Sequence, residues 1–361
     1  MIDGMRAIAA LMVVVFHVAQ EKAATDASFV GGLLSAMSSA VAIFFVISGF
    51  LLYRPYVAAR WSAAPPIRAR DYLRRRLLRI VPAYWLALTV LAVYPGLRDM
   101  FTARSWIYYL FGQVYGANTI FGGLPQAWSL SVEMSFYVAL PGLAAAVTWF
   151  LRRRRSSERT RDELVLLGVL GVGSLIITAT VYRGGPQFVD HYWWITSTIF
   201  GVFLWFALGM ICATLSVATH ERAQRIGVVA VVACHPTLVV VAAAGFFIMT
   251  SVGVAHHAPT VVEYALEGAF AVSLFAPAVF GAAGWYRRAL GLRAISWLGL
   301  ISYGVFLWHA PLIAKLDGLG VSQGRGVVGI TTLSALTIGA SVVAAAISYY
   351  VVERPILRYK R

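Results

Sequence analysis

Arg6 and His17 are the first residues in the chain whose types and spacing could do chemistry. They stand eleven positions apart. At about 100° per residue that is three full turns, so both side chains lie on one helix face with roughly 16 Å of rise between them. The residues between are apolar, among them Ala7, Ile8, Leu11, Met12, Val13, Val14 and Val15. An ionisable group deep in such a helix is costly and marks a polar pathway or a reaction site. A structural histidine bonded to a neighbouring helix is the plainer alternative.

Four further groups stand out. Arg76 and Arg79, in the run Arg74-Arg75-Arg76-Leu77-Leu78-Arg79, are three apart and project together. Paired guanidinium groups grip phosphate in a fork, and they can also anchor a helix by touching anionic lipid. Ser129, Glu133 and Tyr137 recur every four residues as a polar stripe on an apolar run that opens with Trp128. Glu133 is expected about 7 Å below the outer interface, where a lone carboxylate is rarely just packing; a protonated interhelical bridge is the alternative. Ser302 and His309 share a face in Ser302-Tyr303-Gly304-Val305-Phe306-Leu307-Trp308-His309. Counting about 21 Å inward from the start of its run places His309 near the depth of His17 and Glu133. One shared polar site in the outer half is the expectation. In Phe44-Phe45-Val46-Ile47-Ser48-Gly49-Phe50, Gly49 permits close helix approach, and core packing is the default. His220, His235, His256 and His257 fall at loops or run ends, and Cys212 and Cys234 fall inside apolar runs. These carry no chemistry, disulfide or metal site.

The elements that must position these residues follow from composition. Of 361 residues, 60% are hydrophobic and 12% charged. A soluble chain is nearer 45–50% apolar and about 25% charged. The fold class is therefore an all-α polytopic membrane protein. A net charge of +15 would admit a nucleic-acid partner, but the charge is confined to short loops, where it reads as a topology signal. Runs long enough to span fall at about 5–20, 30–52, 78–95, 128–151, 163–182, 195–217, 227–251, 263–284, 295–314 and 327–351. The first could be mistaken for a secretory leader, but the topology needs it as a span. With the arginine-rich loops 54–79 and 152–161 cytoplasmic, about ten spans leave both termini cytoplasmic. Only Lys22, Arg98, Arg104, Arg183, Lys315 and Arg325 of the 30 Lys and Arg then face outside. Parity requires that residues 102–116, rich in Trp and Tyr, do not cross; they form an interfacial or re-entrant piece. Residues 53–77, with Pro55, Pro65 and Pro66, are expected to form the main cytoplasmic loop. The chain shows no internal repeat and reads as one domain, 1–361.

Taken together, these stretches resemble the membrane acyltransferase-3 family. The family's Arg, ten residues, then His matches Arg6 and His17, and its paired arginines before the third helix match Arg76 and Arg79. Phe44 to Gly49, Trp128 to Glu133, Ser302 to His309, and Val352-Glu353-Arg354-Pro355 look like family blocks in family order, so the resemblance runs from residue 3 to residue 358. Two departures matter. Many relatives have a second acidic residue or Gln where this chain has Met134 and Ser135. Some relatives also carry an extra-membrane esterase-like domain after the last span. With the sequence ending at Arg361, action alone or with a separate partner is expected.

The resemblance implies transfer of an acyl group, usually acetyl from acetyl-CoA, to a hydroxyl on a cell-surface sugar, glycolipid or secreted natural product, with no metal. The protein would sit in the inner (plasma) membrane among its lipids and have no nucleic-acid partner. The phosphorylated end of CoA would lie at Arg76 and Arg79, close to Ser48 and Gly49, with the pantetheine arm passing Arg6. His17 would be the general base or an acyl-accepting nucleophile, and Glu133 would orient or charge-balance its imidazole. Trp128, Tyr137, Tyr303 and His309 would face the acceptor. A transporter or lipid flippase is the rival class, since it too needs buried charge at mid-depth. Against it, the chain shows no pair of similar halves and no matched broken helices.

Overall fold

A computed structural model describes residues 1–25, 28–62, 64–154, 158–221, 260–281, 284–321 and 326–360. The helices, in chain order, are α1 (Ile2–Glu21), α2 (Phe29–Ala36), α3 (Ala40–Trp61), α4 (Ala69–Leu91), α5 (Ser105–Tyr109), α6 (Trp128–Arg152), α7 (Arg159–Arg183), α8 (Pro186–Tyr192), α9 (Ile199–Glu221), α10 (Thr260–Phe280), α11 (Trp285–Leu290), α12 (Arg293–Gly318), α13 (Val327–Ser348) and α14 (Arg354–Leu357). Nine stretches among the described residues are long and apolar enough to cross a membrane. The chain is an all-α, multi-pass membrane protein. A helix satisfies its own backbone polar groups, as hydrocarbon demands. The expected span 227–251, with Cys234, His235, His256 and His257, lies outside the described residues.

Two helix pairs organise the bundle. α1 and α12 run parallel and are pinned at both ends. At the end where both begin, Gly299 of α12 faces the Asp3 carbonyl, and Gly4 faces the Leu290 carbonyl of α11, just ahead of α12, so closely that any Cβ would collide with backbone. At the far end Lys22 pairs with Asp317. α3 and α9 approach equally closely, with Gly49 against the Phe206 carbonyl and Gly209 against the Val46 carbonyl. Phe206 stacks on Phe45 at 4.5 Å and on Phe136 of α6 at 4.1 Å, which ties α6 to the pair. Glycine is the residue that lets backbones come this near.

The expected loop at 53–77 is corrected. α3 continues through Pro55 to Trp61, and α4 begins at Ala69, nine residues before the expected start. The reason is that the polar residues of this stretch have helical partners. Tyr53 donates to Glu163 of α7 at 2.5 Å, Arg60 forms an ion pair with the same carboxylate, and an Arg60 amino group lies 3.3 Å from the Tyr53 hydroxyl. Arginine is a good helix former, and length beyond the hydrocarbon costs α4 nothing.

Within 102–116 the only α-helix is α5, five residues long and so about 7.5 Å, too short to cross. The segment folds back onto the far end of α4. Tyr84 donates to the Tyr108 carbonyl at 2.9 Å, Trp85 to the Tyr109 carbonyl at 2.9 Å, and Phe111 stacks on Tyr84 at 4.4 Å. A 3-10 turn, Pro125–Ala127, then leads into α6.

Candidate functional site

Arg6, Arg76 and Arg79 converge on one cavity. It holds about 120 Å³ and is lined also by Ser48, Ser129, Glu133, Tyr137, Ser302 and Tyr303. Five spans contribute: α1, α3, α4, α6 and α12. Because α4 starts at Ala69, Arg76 and Arg79 ride about 10 and 15 Å along the helix before reaching the cavity. That register lets loop-like residues act inside the bundle. Arg76 lies over the Tyr72 ring at 5.9 Å, and its Nε is buried with no hydrogen-bond partner. None of the three arginines makes an ion pair or a side-chain hydrogen bond among the described residues. Tyr303 donates to the Ile80 carbonyl at 2.9 Å and so fastens α12 to α4 beside Arg79.

Ser48 donates to Glu133, and Tyr137 adjoins both. Three guanidinium groups and one carboxylate line the cavity, and even with the charge interactions of nearby Glu353 with Arg79 and Arg6 the balance is positive. A cavity of this kind selects an anion, and the forked geometry of guanidinium favours phosphate.

The histidines form a second locus. His17 Nδ1 lies 2.9 Å from the Val13 carbonyl and 3.2 Å from His309 Nε2. His309 Nδ1 lies 2.8 Å from the Phe306 carbonyl and 3.3 Å from that of Val305. The two rings stand 4.9 Å apart. His309 is 0% exposed, whereas His17 is half-buried.

The structure therefore joins what the sequence separated and separates what it joined. His17 and His309 meet, as their similar depths anticipate. Glu133 does not join them: it bonds to Ser48 in the cation-lined cavity, while His17 takes its partners from α1 and α12. The expectation that Glu133 orients the His17 imidazole is corrected accordingly. Counting depth along each helix fixed neither azimuth nor tilt, and the arginines came further in than their loop-like composition implied. Gly49 is not in the cavity lining; its missing Cβ makes room for the Phe206 carbonyl. Trp128 opens α6 and packs against the core, also outside the lining. Sequence reasoning placed Glu353 in a family block but gave it no role. It is 7% exposed, ends a π-helical turn at Tyr349–Glu353, and buries an Oε1 with no hydrogen-bond partner. Charge interactions reach it from Arg79 and Arg6. The available signal was a carboxylate closing an apolar run.

Comparison with known proteins adds an independent line. The model of one protein family, described as an acyltransferase domain, matches residues 1–352. The peptidoglycan O-acetyltransferase OatA of Listeria monocytogenes is 23% identical over 98% of this chain and 55% of its own length. The exopolysaccharide production protein ExoZ of Rhizobium meliloti is 27% identical, covering 90% of each chain. The O-acetyltransferase OatA of Staphylococcus aureus is 22% identical over 98% of this chain and 56% of its own length. The chain thus spans about half the length of the two OatA proteins. No solved structure matches it.

Proposed function

The chain belongs to the membrane acyltransferase-3 family, matched over residues 1–352, and on that footing we propose that it is an integral membrane O-acyltransferase. Its donor is an acyl-CoA, with acetyl as the usual acyl group. Its acceptor is a hydroxyl of a cell-envelope saccharide, glycolipid or secreted natural product. The relatives' names, peptidoglycan O-acetyltransferase and exopolysaccharide production protein, favour an envelope saccharide. The protein lies in the plasma membrane with both termini cytoplasmic.

One observation carries this reading. Arg6, Arg76 and Arg79 line a common cavity with no ion pair of their own among the described residues. A surplus of cations within a membrane bundle is costly unless an anion completes it. The phosphates of CoA supply that charge from the arginine-rich face. The pantetheine arm then follows α1 inward, since Arg6 and His17 share a face about three turns apart, a rise of roughly 16 Å. Holding donor and acceptor at one point replaces a bimolecular encounter with an intramolecular one.

At that point His17 takes the proton of the acceptor hydroxyl. The oxygen attacks the thioester carbonyl, the C–S bond breaks, and the CoA thiolate leaves on the donor side with the proton returned by the His17 imidazolium, which restores the neutral base. In the two-step variant His17 itself carries the acyl group first. Glu133, held by Ser48, is the fixed counter-charge among the arginines and limits how tightly product CoA is retained.

The test is turnover in detergent or nanodiscs with acetyl-CoA and soluble glycan acceptors, peptidoglycan fragments and exopolysaccharide oligomers. Free CoA should be released in step with acetylated glycan, and His17→Ala should abolish both while still binding acetyl-CoA. Undiminished transfer by His17→Ala would remove the centre of this reading.

A further inference from the structure

The hydrogen bonds around the two histidines admit one neutral arrangement. His309 Nδ1 faces two backbone carbonyls, at 2.8 and 3.3 Å. A carbonyl only accepts, so Nδ1 carries the hydrogen and, in a neutral ring, Nε2 carries the lone pair. His17 Nδ1 faces the Val13 carbonyl at 2.9 Å and His309 Nε2 at 3.2 Å. Both are acceptors, so His17 Nδ1 also carries its hydrogen and shares it between them. The reverse polarity, with His309 donating from Nε2, sets a His17 lone pair against the Val13 carbonyl. If His309 stays neutral, it also sets a second lone pair against Phe306. If His309 instead becomes an imidazolium, a charge is stranded at a position that is 0% exposed.

We propose that His309 is a positioning residue whose Nε2 lone pair accepts from His17 Nδ1–H and thereby holds Nε2 of His17 as the base atom. The inference rests on the reading of His17 as the group that meets the acceptor hydroxyl. It gives the two histidines unequal tasks, which their exposure matches: His17 is half-buried, whereas His309 is 0% exposed. The hydrogen bond that one ring nitrogen makes sets which nitrogen is free for chemistry. When His17 Nε2 takes a proton, its Nδ1–H becomes a charge-assisted donor to two acceptors already in place, Val13 and His309. An aspartate performs this service in hydrolase triads. Here a neutral imidazole does so, with no second charge to bury. The close backbone contact of Gly299 with Asp3 at one end and the Lys22–Asp317 pair at the other keep the two rings in register.

The experiment combines two readouts on the full-length protein in nanodiscs. Nitrogen-15 spectra of histidine-labelled protein, assigned with His17→Asn and His309→Gln, report which ring nitrogen is protonated. In the wild type both rings should be Nδ1–H tautomers at neutral pH. His309→Leu removes the acceptor, and His309→Gln restores one. His309→Leu should change the His17 tautomer populations and lower single-turnover acyl transfer about tenfold or more, with acetyl-CoA affinity unchanged. His309→Gln should keep the wild-type His17 spectrum and recover transfer to within a few-fold. An Nε2–H tautomer of His17 in the wild type would overturn the proposal, as would equal loss of transfer in the Leu and Gln variants. The tautomer measurement needs no turnover. Should His17→Ala retain full activity, the catalytic reading fails while the spectra still decide the hydrogen-bond polarity.

Discussion

Replacing Arg79 with Ala removes one of the three guanidinium groups that line the cavity and leaves Glu133 facing two. A charge-assisted hydrogen bond to phosphate contributes about 1.5–3 kcal/mol. Partial exposure of the arginine reduces that, and about 1.4 kcal/mol corresponds to tenfold in affinity. Acetyl-CoA should therefore bind about ten- to a hundredfold more weakly to Arg79→Ala. The informative control is Arg75→Ala, one turn back on α4. Arg75 is exposed and outside the lining, so its loss should change affinity by about twofold or less. Calorimetric titration of acetyl-CoA into both variants in matched detergent, with thermal unfolding to establish that each remains folded, gives the comparison. If the arginines serve only to anchor the helix at the membrane boundary, the two substitutions behave alike. Equal affinities for Arg75→Ala and Arg79→Ala, or an unchanged affinity for Arg79→Ala, would refute the assignment of the cavity to the donor.

Two further outcomes follow from the packing and topology. Gly299→Ala places a methyl group against the Asp3 carbonyl and should cost about 1–3 kcal/mol of stability. It should also reduce acyl transfer more than donor binding, because it shifts α1 relative to α12. Gly339→Ala, on α13 with open space around it, should be neutral in thermal unfolding and in transfer. Single cysteines introduced at Ala64 and Asn118 should react with a membrane-impermeant maleimide from opposite sides of oriented vesicles; labelling from the same side would overturn the proposed orientation.

The bundle was largely legible in the sequence because hydropathy reports burial in lipid directly. The spans holding Arg6, Glu133 and His309 lie where their apolar runs are. What hydropathy missed is helix that continues past the hydrocarbon. Residues 53–61 and 69–77 read as loop because they are polar, yet Arg60 is neutralised by Glu163 and Arg76 looks inward. The Arg6 and His17 spacing was legible because both lie on one helix, where 3.6 residues per turn fixes the geometry. The shared depth of His17 and His309 was legible too, but the rotation that brings their rings into contact, and the partnership of Glu133 with Ser48, were not. Each joins different helices, and the rotation of one helix against another is set by packing contacts such as Gly299 against Asp3. Ser48 and Gly49 show the limit most plainly: adjacent in sequence, one lines the cavity and the other touches α9.

The two histidines that touch are 292 residues apart in the chain. At translation rates of about 5–20 residues per second, α1 enters the membrane about 15–60 s before α12 is made. Throughout that interval Arg6 and His17 sit in a helix whose principal neighbour does not yet exist. The nascent protein must shelter them, against α3 or against the insertion machinery itself. Shortened products that stop before α12 expose an arginine and a histidine to lipid, a signature that membrane quality control can read. The His17–His309 pair is completed only when one of the last spans is in place.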